Sequence, residues 1–203
     1  MRVLVIYYSL FGNTFQMAKA VAKGVLSVEG ADVSLMRFPE LMPQEIIEKN
    51  QRMKQVQILQ KDIPIAKVED LAQFDAIIFG SPTRYGNMCS QTKNFLDQTG
   101  PLWQKGVFIG KPTGVFACTA SLHGGQESTL LSMMIPLLHL GMIIVGIPYS
   151  VVELSTTKSG GTPYGATAVV GEKADQPPTE TDLKIAEALG KRVAEVAKKL
   201  SKE

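Results

Sequence analysis

Cysteine and histidine are nearly missing from this chain. There are two of each among 203 residues: Cys89, Cys118, His123 and His139. The cysteines lie far apart and form no C-x-x-C pair, so neither a disulfide framework nor a structural zinc site is expected. An excess of one charge is missing too. Lys and Arg number 21 against 19 Asp and Glu, a formal net charge of +2. With no basic cluster interleaved with aromatics, nucleic acid is not an expected partner. Long apolar runs are absent, because Pro, Gly or polar residues break each stretch, so no segment is expected to enter a membrane. The first residues form no charged leader or cleavage site. A cytoplasmic protein is the expectation. Repeats and low-complexity tracts are also lacking.

Two phosphate motifs are excluded near the N-terminus. A P-loop needs a lysine after its last glycine, and none follows Gly12. A dinucleotide fingerprint needs three spaced glycines, and only Gly12 is there. No Lys or Arg lies between Val3 and Ala18, so any anion bound by this stretch is expected to be held by neutral donors.

What is present is a chain 45% hydrophobic and 20% charged. That suits one α/β domain over residues 1–203 with a sizeable core. Val3-Leu4-Val5-Ile6-Tyr7 reads as a buried strand. It runs into Ser9-x-x-Gly12-Asn13-Thr14, after which a helical pattern begins with Met17, Ala18, Val21, Ala22 and Val25. A strand, a hydroxyl- and glycine-rich turn and a helix start gather backbone N–H groups around an anion. Spacing alone leaves two readings open: a phosphate cradle, or an ordinary turn with Asn13 or Thr14 as helix cap.

Residues 32–38 alternate as a second strand. Residues 44–68 are rich in Gln and Lys; a helix followed by a surface loop is expected, with nothing catalytic. Asp75–Gly80 is a short apolar strand that opens into Ser81-Pro82-Thr83-Arg84-Tyr85-Gly86-Asn87, with a helix from 88 to 98. Pro112–Cys118 is the next strand and opens into Thr119-Ala120-Ser121-Leu122-His123-Gly124-Gly125. The helix from Gln126 is apolar almost all round, so part of it is expected against another subunit. Pro136 should kink it. Met142–Val145 reads as the last strand. Residues 155–177 form a long Gly- and Thr-rich excursion of the kind that carries function or meets a partner. Thr179 and Asp182 form a capping box for a final amphipathic helix.

This βα order predicts a doubly wound parallel sheet, whose ligands bind beyond the carboxyl ends of the strands. Three polar loops, 9–14, 82–87 and 119–125, belong at that edge. One phosphate cradle, no magnesium site and no phosphate lysine suit flavin mononucleotide (FMN) better than ATP or a dinucleotide.

Four segments together carry a family likeness: Tyr8-Ser9-Leu10-Phe11-Gly12-Asn13-Thr14, Gly80-Ser81-Pro82-Thr83-Arg84-Tyr85-Gly86-Asn87-Met88, Phe95-Leu96-Asp97-Gln98-Thr99-Gly100 and Gly160-Gly161-Thr162-Pro163-Tyr164-Gly165-Ala166. Over nearly its whole length the chain resembles the WrbA family of flavodoxin-like NAD(P)H:quinone oxidoreductases. The resemblance implies a flavodoxin-like five-stranded parallel sheet of order 2-1-3-4-5 and noncovalent FMN. It implies a homotetramer with sites near subunit contacts, and two-electron ping-pong hydride transfer from NADH or NADPH through FMN to a quinone. It implies that Ser9, Leu10, Phe11, Gly12, Asn13 and Thr14 hold the phosphate. Pro82, Thr83, Arg84, Tyr85 and Gly86 would lie against the isoalloxazine ring, with Cys118, Thr119, Ala120, Ser121 and Gly124 forming the third flavin loop. His139 would sit at the flavin and substrate pocket, Trp103 at its border, and Phe11 beside the nicotinamide.

The chain departs from the family pattern in three places. Phe11 stands where relatives commonly have Tyr, the third loop is longer, and residues 49–66 are longer and more basic. Cys118 ends a buried strand and reads as an inert thiol. Two other classes are compatible with an FMN fold: a single-electron flavodoxin-type carrier, and a regulatory FMN-binding interaction protein without turnover. Consumption of reduced nicotinamide separates the first from an enzyme; a colourless preparation that ignores FMN would point away from all three.

Overall fold

A computed structural model describes residues 1–201. The elements in chain order are β1 (Arg2–Tyr7), α1 (Asn13–Leu26), β2 (Asp32–Arg37), α2 (Gln44–Lys49), α3 (Gln51–Leu59), a 3-10 turn (Val68–Gln73), β3 (Ala76–Arg84), β4 (Asn87–Met88), α4 (Ser90–Asp97), α5 (Gly100–Gln104), β5 (Pro112–Thr119), α6 (Gln126–His139), β6 (Ile143–Ile144), α7 (Glu153–Thr156), β7 (Ala166–Val169) and α8 (Glu180–Leu200). The core sheet has the order β2-β1-β3-β5-β6, with parallel pairing throughout. β1 is buried from Val3 to Tyr7. Only a central strand covered on both faces can accept so continuous an apolar run.

Successive side chains of β1 point to opposite faces. Val3, Val5 and Tyr7 join Ile78, Phe116, Leu189 and Val193 beneath α1 and α8. Leu4 and Ile6 join Phe79, Phe95, Val115, Leu130, Met133 and Leu137 beneath α4 and α6. The doubly wound arrangement is the one expected.

The fifth position in the sheet differs from expectation. It is filled by two short strands rather than by Met142–Val145 alone. β6 pairs with Pro112 and Thr113 of β5, whereas β7 pairs with Phe116–Thr119. Residues 145–165 loop out between them, so only part of the 155–177 stretch is an excursion. The glycines concealed β7. A Cβ at Gly165 would overlap the Val115 carbonyl, so that glycine marks close backbone approach rather than a free loop.

Residues 44–68 also differ. Two helices stand where one helix and a loop were expected, and they divide at Asn50. Its side-chain Oδ1 accepts from the Arg52 and Met53 amides at 3.1 Å each and caps α3. α6 continues through Pro136 to His139; the proline sits one turn from the end, where losing one amide donor does little to the helix. The capping box of α8 is formed. Asp182 N donates to Thr179 Oγ1 at 3.1 Å, and Thr179 N donates to Asp182 Oδ2 at 2.8 Å. Asp182 also accepts from Gly160 N at 2.9 Å, which ties the excursion to α8.

Three buried acids lie close to the first loop. Burial pushes the Tyr7 phenol up, with Arg37 pulling weakly the other way. Burial, reinforced by the Glu40 carboxylate that accepts its hydroxyl, does the same to Tyr8. Burial raises the Cys118 thiol from 9.0 to about 12, against a smaller opposite pull from Thr14. Each native group therefore prefers its protonated form more than the unfolded chain does. The stability this contributes is complete below the ordinary values and is lost as pH rises toward the native ones. The urea midpoint is expected to hold steady through neutral pH and to fall above pH 9.0, the ordinary thiol value. A midpoint flat to pH 11 in equilibrium urea titrations would contradict this assignment.

Candidate active site

The carboxyl ends of β1, β3, β5 and β7 deliver four loops to one edge of the sheet. Between them is a cleft of about 140 Å³. The first loop contributes Ser9, Leu10, Phe11, Asn13 and Thr14; the second, Pro82, Thr83 and Arg84; the third, Cys118 and Ala120. The fourth contributes Val170, Gly171, Glu172 and Ala174. Gly12 lies within the first loop. Tyr85, Gly86, Thr119, Ser121 and Gly124 flank the cleft without lining it.

The first loop is built to accept an anion. Among the described residues, the amides from Ser9 to Phe15 donate to no backbone carbonyl, and α1 has no side-chain cap. Gly12 is the N-cap, at φ +90°. Asn13 and Thr14 are therefore inside the first turn rather than capping it, and the capped-turn reading falls. Asn13 instead donates from Nδ2 to Ala174 O at 2.7 Å. The Ser9 hydroxyl is buried with no partner. A buried, unpaired hydroxyl is costly unless a ligand satisfies it. Unpaired amides, this hydroxyl and the positive end of α1 fit a phosphate.

The second and third loops brace one another. Thr83 Oγ1 and Thr129 Oγ1 are 2.7 Å apart. A Cβ at Gly125 would lie 2.7 Å from Gly86 Cα, so the two backbones meet there. Arg84 Nη1 donates to the Thr83 carbonyl at 2.8 Å. Tyr85 has φ +53° and a fully exposed ring. The third loop turns tightly, with Gly124 N donating to Ser121 O at 3.1 Å and Thr119 Oγ1 to the same oxygen at 3.1 Å. His123 is exposed on this loop. The raised Cys118 thiol leaves no thiolate at neutral pH.

Trp103 and His139 are brought together, though away from this cleft. Trp103 Nε1 donates to His139 O at 3.1 Å. Both line a separate groove of about 400 Å³ with Lys93, Leu96, Ile135 and Pro136. Within one chain that groove shares no lining residue with the first cleft.

Residues of α3 and the fourth loop escaped the sequence reading. Arg52 Nη2 donates to Phe11 O and Nη1 to Lys173 O, each at 3.1 Å. Gln60 Nε2 donates to Ser9 O at 3.1 Å. A cation thus reaches the first loop from 41 residues downstream in sequence, though it bonds the Phe11 carbonyl and leaves the anion-facing donors of the loop neutral, as expected from their sequence. Nothing in the local pattern of 44–68 announces this. For the fourth loop a signal did exist: Ala166–Val170 is an apolar run followed by Gly171, the same strand-then-turn grammar as the other three.

A parallel sheet of this order with an anion loop after its first strand defines a flavodoxin-type mononucleotide-binding protein. More particularly, the chain belongs to the NADPH-dependent FMN reductase family, whose model matches residues 1–157. A protein of Aromatoleum aromaticum named NAD(P)H dehydrogenase (quinone) is 50% identical over 98% of this chain and 97% of its own. One of the same name from Geobacter sulfurreducens is 46% identical over 99% of this chain and 100% of its own. Among solved structures, the flavodoxin, WrbA-like protein of Agrobacterium tumefaciens is similar, with a TM-score of 0.64 and 25% identity, covering 98% of both chains. The likeness drawn from the four motifs and the flavodoxin-like fold are both borne out.

Proposed function

We propose that this chain is an FMN-dependent NAD(P)H:quinone oxidoreductase, acting as one domain over its length. The observation that carries the reading is the run of unpaired amides from Ser9 to Phe15 around the partnerless Ser9 hydroxyl. The full-length likeness to quinone dehydrogenases supports it. When bound, FMN supplies the hydride chemistry, taking two electrons from reduced nicotinamide and returning them to a quinone.

The chain's own residues bind and orient. Ser9, Gly12, Asn13 and Thr14 hold the phosphate. Pro82–Gly86 and Cys118–Gly124 flank the ring, and the amides of these loops favour negative charge on it. The cleft lining is mostly apolar or neutral, with Arg84 and Glu172 as its charged members. Phe11 offers a flat surface to the nicotinamide.

Leu131, Ile135 and Leu138 of α6 and Trp103 of α5 are exposed and apolar. In the proposed homotetramer they are covered by another subunit, and Trp103 and His139 then border the substrate space of a neighbouring site. Among the described residues no helix is long and apolar enough to cross a membrane, and the cytoplasm is the proposed place of work.

Anaerobic titration tests the reading. NADH or NADPH should bleach the flavin absorbance stoichiometrically, and benzoquinone should restore it. Nicotinamide left unconsumed by a yellow protein would favour a single-electron carrier. A protein that binds FMN yet neither takes electrons from nicotinamide nor exchanges them would be a regulatory interaction protein, and one that does not bind FMN would overturn the reading.

A further inference from the structure

α3 is a weakly rooted helix. Val56 is its one buried residue, while Ile58 and Leu59 are exposed. Its inward contacts nevertheless fall on one stripe, four residues apart, as one helical face requires. Arg52 bonds the Phe11 carbonyl. Val56 Cγ2 lies 3.3 Å from where a Gly12 Cβ would stand. Gln60, just past the helix end, donates to the Ser9 carbonyl and accepts from Tyr7 Oη at 2.9 Å. Three successive positions of the stripe thus meet Phe11, Gly12 and Ser9.

Arg52 also reaches the opposite wall. Nη1 and Nη2 bond Lys173 O and Ala174 O, and the latter oxygen also accepts from Asn13 Nδ2. Ala174 has φ +54°, a left-handed conformation that a residue with a Cβ disfavours and that these two donors hold. One guanidinium therefore joins the first loop, the fourth loop and α3. The Phe11–Gly12 peptide is trans, so its N–H points opposite to its carbonyl. Holding that carbonyl on Arg52 aims the Gly12 N–H away from α3. The Arg52 guanidinium carbon also lies 5.6 Å from the centre of the Phe11 ring, over its face.

We propose that Arg52 is a positioning residue for the phosphate end of FMN: the α3 brace holds the first loop in its anion-accepting form and fastens the fourth loop against it, slowing FMN release. This rests on the FMN reading above. The role needs a guanidinium. Its planar fork serves three carbonyls at once, whereas a lysine ammonium is a point donor on a flexible stem.

The test compares two flavins on the apoprotein. FMN has the phosphate and riboflavin lacks it, and release of either is followed by the return of flavin fluorescence. Arg52→Gln should release FMN about ten- to a hundredfold faster, the loss expected when an anion's surroundings lose one charged hydrogen-bonding group. Riboflavin affinity and the melting point of the apoprotein should not change. Arg52→Lys should recover only part of the retention.

Equal weakening of FMN and riboflavin, or a lowered apoprotein melting point with both variants, would make Arg52 merely structural and overturn the proposal. So would an unchanged FMN off-rate. Should the unaltered protein fail to bind FMN at all, the functional reading itself would fall, an outcome distinct from the others.

Discussion

Gly12→Val is expected to leave a folded, colourless protein with its FMN affinity lowered by about a hundredfold or more. Gly12 sits at φ +90° at the start of α1. A side chain there costs about 1–2 kcal/mol from the left-handed conformation alone, and a β-branched residue is worse placed still. Its Cβ would press on Val56 Cγ2 at 3.3 Å. The loop must therefore open, and its amides cease to converge. Losing two hydrogen bonds to a charged phosphate, at about 1.5–3 kcal/mol each, accounts for an effect of that size. Core and sheet lie elsewhere, so far-UV circular dichroism should be preserved. Fluorescence quenching titrations with FMN measure the outcome. Unchanged affinity would show that the first loop is not the phosphate anchor.

The largest loss of stability is expected at a glycine remote from that loop. α1 and α8 cross in direct backbone contact at two reciprocal points. A Cβ at Gly190 would overlap the Val21 carbonyl, and one at Gly24 would overlap the Glu187 carbonyl. Neither neighbour is a flexible side-chain end, so the helices would have to part. Val193, Leu189 and Ile185 of α8 would then withdraw from the sheet that they cover. Overpacking usually costs about 1–3 kcal/mol, and more when backbone has to move. At about 3 kcal/mol, Gly190→Val should lower the melting point by roughly 6–12 °C for a chain of this size. Gly100→Ala is the control: a Cβ there meets nothing within 4 Å and its φ is not positive, so its melting point should stay within about 2 °C of the parent. Equal melting points for all three proteins would refute the close-crossing account.

The sequence was most legible where local chemistry and tertiary role coincide. Val3–Tyr7 reads as a buried strand because it has no polar face. Thr179 and Asp182 read as a cap because their side chains bond within four residues of themselves. The motif around Thr83-Arg84-Tyr85 and the Gly160–Ala166 segment identified the family. β7 was hidden because glycines that allow close backbone contact look, in one dimension, like glycines that allow flexibility. Trp103 and His139 could be paired with the flavin only by family likeness. Their contact spans 36 residues, and in one chain it forms a groove apart from the cleft.

By itself, then, the sequence determined the alternation of strand and helix, the edge of the sheet that gathers the candidate site and the flavin class of the cofactor. Periodicity and turn chemistry act over a few residues and are written in the chain. Only the tertiary structure decided that the fifth sheet position is shared by β6 and β7, and that α3 lies on the first loop with Arg52 across it. Those outcomes depend on which distant backbones can approach and which carbonyls are left for a guanidinium to reach. No short stretch of sequence encodes either.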